Sequence, residues 1–265
     1  SFSVEGIDMG ERNIEEPSRQ TRVACDVDVL VCGGGPAGFG AALAAARSGA
    51  RTLLIENQLC LGGMATSGMV NRLGPYHDQE SIMLRGIPWE VLERLVKRGL
   101  AQEPIICSPK NWSDYWLVFD PEGMKLALDE LMHEAGAEVR FDTRIVAPVM
   151  EGSTVQGVIG ESKSGREAFL AKMVIDATGD GDVASAAGVP FEMGREGDGL
   201  LQPMTTFFKC LNIDWRQAFD YVSQHYGELT SSAKNEVGND LILAGTDTYL
   251  HPEETYFNCL HENGM

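Results

Sequence analysis

Gly33, Gly35 and Gly38 stand in the spacing GxGxxG within "VLVCGGGPAGFGAALAAARSGARTLLIE", a stretch that closes on Glu56. That pattern suits a dinucleotide. Gly33 permits a tight turn, Gly35 leaves the main chain bare where a pyrophosphate approaches, and Gly38 lets a helix lie close on a strand. Pro36 and Ala37 open that helix, whose unpaired N–H groups and partial positive charge favour phosphate. Glu56 is placed to accept hydrogen bonds from the ribose hydroxyls of an adenosine, and its charge repels a 2′-phosphate. Two further surfaces follow. In "LGGMATSGM", Gly62 and Gly63 expose main chain beside Met64, Ala65 and Thr66. In "VIDATGDGDVASAAG", Ala177, Thr178, Gly179 and Asp182 mark a second strand-to-helix turn. It offers glycines for close approach, a helix N-terminus for phosphate, and carboxylates able to accept from ribityl hydroxyls. Asp180 and Asp182 also suit helix capping, which is compatible with cofactor contact. NAD needs no second bare surface, whereas an extended FAD does, so the three together favour FAD.

Turns of this kind need strands and helices to hold them. The apolar runs 27–32 and 52–55 read as buried parallel strands, joined by a helix over 36–48 that ends at Gly49. An amphipathic helix is predicted over 88–98, closed by Gly99. Another starts at Asp120 and Pro121 and carries Met124, Ala127, Leu128, Leu131 and Ala135 on one face before Gly136. Short strands are predicted over 138–141, 143–150, 155–160 and 168–175, the last three separated by "EGST" and "SKSG" as a meander beside the parallel sheet. Beyond Gly188 the composition changes, and "DWRQAFDYVSQHY" is helix-like. The expectation is an α/β protein: a polar arm over 1–21, a Rossmann-like FAD-binding domain with parallel sheet and β-meander over 22–188, and the beginning of a substrate-covering domain over 189–265.

The glycine-rich unit, "LGGMAT", "FDPEGMKLALDELMHEAGAEV" and "VIDATGDGDVA" occur in order, and together they resemble the FAD-dependent oxidoreductases of the glutathione-reductase-like fold. The resemblance is nearest to the branch related to fumarate reductases and succinate dehydrogenases. It implies non-covalently bound FAD, a redox activity and a backbone contact to adenine near Ile145. It implies no substrate, because that branch is functionally diverse. Members of the family usually run well past 265 residues. A longer polypeptide or an associated chain, in a homo-oligomer or with a second subunit, is therefore expected to complete the pocket.

Catalytic candidates come from "NRLGPYHD", which follows the region expected near the flavin and offers Arg72, Tyr76 and His77. A histidine titrating near neutrality moves a proton while a flavin takes a hydride, and an arginine holds a carboxylate or a developing oxyanion. Arg195 in "GRE" is a similar candidate, or an exposed ion pair. His133, His225, His251 and His261 sit in no motif and read as structural.

Net charge of −18 opposes a nucleic-acid partner, and no apolar run approaches the length of a membrane-spanning helix. The six cysteines form no CxxC pair and the histidines no metal spacing, so no metal is expected, and reduced thiols point to a cytoplasmic protein. Asn111-Trp112-Ser113 fits a glycosylation pattern that has no meaning there. The leading expectation is hydride transfer between flavin and a small organic molecule. Two alternatives stand beside it: a flavin-binding subunit without catalysis of its own, and a non-flavin adenine-dinucleotide enzyme similar to thiazole-biosynthesis proteins.

Overall fold

The first strand, β1 (Arg22–Cys32), begins well before the apolar run that predicts it. Its outer half, Arg22 to Asp26, is flanked by charges and exposed or half-buried, so it leaves no sustained hydrophobic run, yet it pairs with a partner strand from Arg22 onward. The computed structural model describes residues 15–74, 76–104 and 117–201, the backbone of 204–211, 241–247 and 254–261, and residues 214, 217, 221 and 224. Residues 1–14 of the predicted arm, the Asn111 motif and most of the helix-like stretch 214–226 lie outside the described residues.

After β1 come α1 (Pro36–Arg47) and β2 (Thr52–Ile55), as the periodicity predicts. A two-stranded ladder of β3 (Arg72–Leu73) and β4 (Leu117–Val118) brackets α2 (Ile87–Lys97); strands this short carry no readable pattern. The helix α3 (Pro121–Glu134) starts where predicted, with the Asp120 carboxylate accepting from the Glu122 N–H at 3.1 Å. It buries Met124, Ala127, Leu128 and Leu131 and leaves His133 on the surface. Then follow β5 (Glu138–Arg140), β6 (Thr143–Glu151), β7 (Thr154–Ser162), β8 (Gly165–Asp176) and the short α4 (Asp182–Ala186).

One six-stranded sheet in the order β5-β2-β1-β8-β7-β6 organises these elements. β5, β2, β1 and β8 run parallel, while β8, β7 and β6 form the antiparallel meander. The meander is thus continuous with the parallel sheet rather than beside it. Long β8 makes this so: it pairs with β1 on one side and, through its first half, with β7 on the other. A separate three-stranded antiparallel sheet, β10-β11-β9, comprises β9 (Met204–Leu211), β10 (Leu241–Asp247) and β11 (Glu254–His261).

Both faces of the central strands are covered, which is why β1 and β2 read as unbroken apolar runs. Val31 and Leu54 face a core shared with Phe39 and Leu43 of α1, Leu92 and Leu95 of α2, and Leu128 and Leu131 of α3. Leu30, Cys32, Leu53 and Ile55 face the other side, with Val158, Phe169 and Val183. The helices are tied outside the first core by Arg47 to Glu90 at 2.7 Å, Arg94 to Glu134, and Arg98 to Glu130 at 2.7 Å. Among the described residues no helix is long and apolar enough to cross a membrane.

Candidate functional site

Each glycine after β1 answers to a different neighbour. Gly33 adopts φ +100°, and a Cβ there would lie 2.3 Å from the Ala177 carbonyl oxygen, so the turn has no room for another residue. A Cβ on Gly38 would lie 1.8 Å from the Gly33 carbonyl oxygen, which explains the close approach of α1 to the strand end. At Gly35, the N-cap of α1, a Cβ would meet no atom within 4 Å. Its bare face therefore points into open space, and no side chain caps the N-terminal N–H groups of α1. Gly34, to which the sequence pattern assigns no task, is also confined: a Cβ there would lie 2.9 Å from a Glu56 carboxylate oxygen.

Glu56 is nearly buried, at 7% exposure, and braces this turn from β2. Its Oε2 accepts from the Gly34 N–H at 2.5 Å and its Oε1 from the Gln58 N–H at 2.7 Å. The sequence reading gives Glu56 a ribose partner only; the structure adds a bracing task. Each oxygen keeps a second lone pair for a ligand hydroxyl.

The loop after β2 is built on Gly62, at φ +104°, whose N–H donates to the Gly34 carbonyl at 2.8 Å. Gly63 then comes so near that a Cβ would lie 3.0 Å from the Gly35 Cα. Thr66 is buried and donates to the Leu61 carbonyl at 2.6 Å, so its hydroxyl closes the loop.

The turn between β8 and α4 departs from its expected physics. The N-cap is Gly181, with no side-chain cap from Asp180 or Asp182. Capping falls instead to Thr178, whose Oγ1 accepts from the Asp182 N–H at 2.9 Å, and to Asp176, whose Oδ2 accepts from the Ala184 N–H at 2.8 Å. Asp176 Oδ1 also accepts from the Thr178 N–H at 3.1 Å and hydroxyl at 2.7 Å. Burial alone would raise the Asp176 carboxyl, but these donors outweigh it and hold the group below the ordinary carboxylate range. Donors of α4 are thus taken up inside the protein, whereas the N-terminus of α1 carries no side-chain cap.

All three surfaces line one cavity of about 1430 Å³. Of the predicted cofactor residues, Gly33, Gly35, Pro36, Ala37, Glu56, Gly63, Met64, Ile145, Ala177, Thr178, Gly179 and Asp182 reach its wall. Gly38, Gly62, Ala65 and Thr66 do not; they shape the segments that do. Asn57, Gln58, Ser67 and Arg144 also line it, and sequence reasoning passed over them. Only the position of Asn57 and Gln58 directly after Glu56 could have marked them, whereas Arg144 arrives because the start of β6 folds back onto the end of β2, where the Thr143 N–H donates to the Glu56 carbonyl at 3.1 Å.

The catalytic candidates lie elsewhere. Arg72, His77 and Arg195 are absent from the cavity wall. His77 is 1% exposed, accepts from the Gln79 N–H at 3.1 Å through Nδ1, and stands edge-on to the Tyr76 ring at 4.7 Å. Arg195 forks onto Asp198 at 2.6 to 2.9 Å in an exposed turn, as the ion-pair alternative describes. Among the described residues no group of three His, Cys, Asp or Glu side chains could hold a metal.

Comparison with known proteins bears on the family and the fold. Digeranylgeranylglycerophospholipid reductase of Haloferax volcanii is 24% identical over 233 residues, which cover 84% of this chain and 50% of that protein. Thiamine thiazole synthase of Methanococcus maripaludis is 26% identical over 162 residues, covering 58% of this chain and 56% of its own. A geranylgeranyl bacteriochlorophyll reductase-like protein of Thermoplasma acidophilum shares the fold, with a TM-score of 0.54 at 20% identity over 89% of this chain and 57% of that one. The chain spans about half the length of these curated relatives. The profile of the FAD dependent oxidoreductases matches residues 28–259, and the chain belongs to that family.

Proposed function

We propose that this cavity holds the adenosine, pyrophosphate and ribityl parts of FAD, and that the protein transfers a hydride between flavin and a small organic substrate. The observation that carries the reading is convergence: the β1–α1 turn, the loop at Gly63 and the β8–α4 turn line one cavity, with the uncapped N-terminus of α1 opening into it. Gly35 is the test of fit, since a Cβ there would stand in the cavity and touch nothing of the protein. When bound, FAD supplies two-electron transfer. The chain's own residues bind and orient: N–H groups of α1 take the pyrophosphate, Glu56 the ribose, Ile145 the adenine, and Thr178 to Asp182 the ribityl hydroxyls.

Catalytic roles for His77, Arg72 or Arg195 require the ring to extend toward them from the wall described here, and we keep them as candidates on that condition. A second stretch of polypeptide, from the same chain or a partner, covers the ring and excludes water. The finer placement beside fumarate reductases and succinate dehydrogenases rests on the four ordered motifs, and the cytoplasmic location on the thiol content. Anaerobic bleaching of the visible flavin band by candidate substrates tests the activity. A band that no reductant-type substrate bleaches points to a flavin subunit without catalysis of its own.

The thiamine thiazole synthases support a second reading, an adenine-dinucleotide enzyme without flavin. Purified protein that carries an adenine dinucleotide but lacks the visible flavin band would establish it.

A further inference from the structure

Asp176 ends β8 and has no task in the reading above, yet it is the hub of the third turn. Its carboxylate gathers the Thr178 N–H, the Thr178 hydroxyl and the Ala184 N–H, at 2.7 to 3.1 Å. Thr178 passes the tie onward by accepting from the Asp182 N–H. The strand end beneath is fixed by the Ala177 N–H on the Cys32 carbonyl at 2.8 Å. The helix α4 has five residues, of which only Val183 is buried, too few for helix propagation or packing to set its position.

We propose that Asp176 is a positioning residue for the dinucleotide, its carboxylate latching the turn 177–181 to α4 so that Thr178 and Gly179 stand at the cavity wall. The inference rests on the FAD reading, but the latch itself is a property of the protein alone. Removing it lets the turn relax away from the cofactor while the sheet and both cores stay intact.

Asp176→Asn keeps the shape and the Oδ1 acceptor but sets an amide NH₂ against the Ala184 N–H. Thr178→Val removes the relay, and Thr178→Ser restores its hydroxyl. Titrating apoprotein with FAD by fluorescence quenching, we expect Asp176→Asn and Thr178→Val each to weaken binding about ten- to a hundredfold. Thr178→Ser should recover a large part of the affinity that Thr178→Val loses, and the double variant Asp176→Asn/Thr178→Val should lose less than the sum, since both cut one network. Hydrogen exchange at the Thr178 and Ala184 amides, measured without FAD, should quicken in Asp176→Asn but not in Thr178→Ser. Parental FAD affinity in Asp176→Asn, or unchanged exchange, overturns the proposal. A parent chain that binds no FAD defeats the functional reading instead, and the exchange data still decide the latch.

Discussion

Gly35 and Gly38 belong to one motif but fail in different ways when replaced. A Cβ at Gly38 collides with the Gly33 carbonyl oxygen at 1.8 Å, so Gly38→Ala must push α1 off the strand end. We expect a stability loss of about 3 kcal/mol, the upper range of overpacking, seen as a lower urea midpoint. Gly35→Val, with open space around its Cβ, should unfold near the parental midpoint yet retain little FAD. Full FAD retention in that variant would contradict the turn geometry. Glu56 falls between them. Because its carboxylate braces the Gly34 and Gln58 N–H groups, Glu56→Ala strands buried donors as well as losing the ribose contact. The expected result is a stability loss of about 1 to 3 kcal/mol together with FAD affinity lower by one to two decades. A variant that loses affinity with unchanged stability would show that the brace is dispensable.

At the scale of elements, α1, α2 and α3 rest on shared apolar packing, with an ion-pair network above it. Hydrogen bonds from Arg47 and Arg94 hold Glu90 and Glu134 below the ordinary carboxylate range, and Asp176 is held there by its own donors against burial. Carboxyls depressed on folding stabilise the native state above their unfolded pKa, and that contribution disappears as pH falls through the folded values. Asp129, on the exposed side of α3 yet partly desolvated by its surroundings, works in the opposite direction, its carboxyl raised. The depressed groups outnumber it, so the urea midpoint should be level between about pH 5 and 8 and fall below about pH 4. Salt should lower it only slightly, because exposed pairs of this kind contribute little each. A midpoint that rises on acidification would mean that Asp129 outweighs the network. On the alkaline side, burial pushes the Cys32 thiol up to about 12. Its stabilisation is complete below the ordinary thiol value of 9.0 and is lost as pH rises from there toward 12.

For the whole molecule, the expectation is a cofactor held by shape and hydrogen bonds alone. No histidine stands in a position resembling the covalent attachment motif of succinate dehydrogenases, so acid precipitation should leave flavin in the supernatant. Flavin that stays with the polypeptide would overturn this.

Periodicity and glycine spacing are local, and what they encode was legible. The alternation of Leu30, Val31 and Cys32, the face of α3 and the GxGxxG turn each depend on residues a few positions apart, where backbone sterics and burial act directly. Contacts between segments were not legible. Nothing in the spacing of Gly63 from Gly35 tells that their backbones approach so closely that a Cβ on Gly63 would lie 3.0 Å from the Gly35 Cα, or that Glu56 reaches back to the Gly34 N–H. Nor does the sequence tell that Asp176 rather than Asp182 caps α4, since every acid near a helix start suits that task until the chain's path selects one. Arg144 joins the cavity because the start of β6 folds back onto the end of β2, the Thr143 N–H donating to the Glu56 carbonyl at 3.1 Å, while His77 and Arg195 lie off the described wall. Sequence determined which turns could receive a dinucleotide; only the tertiary structure decided which side chains meet there, because that depends on distances between segments remote along the chain.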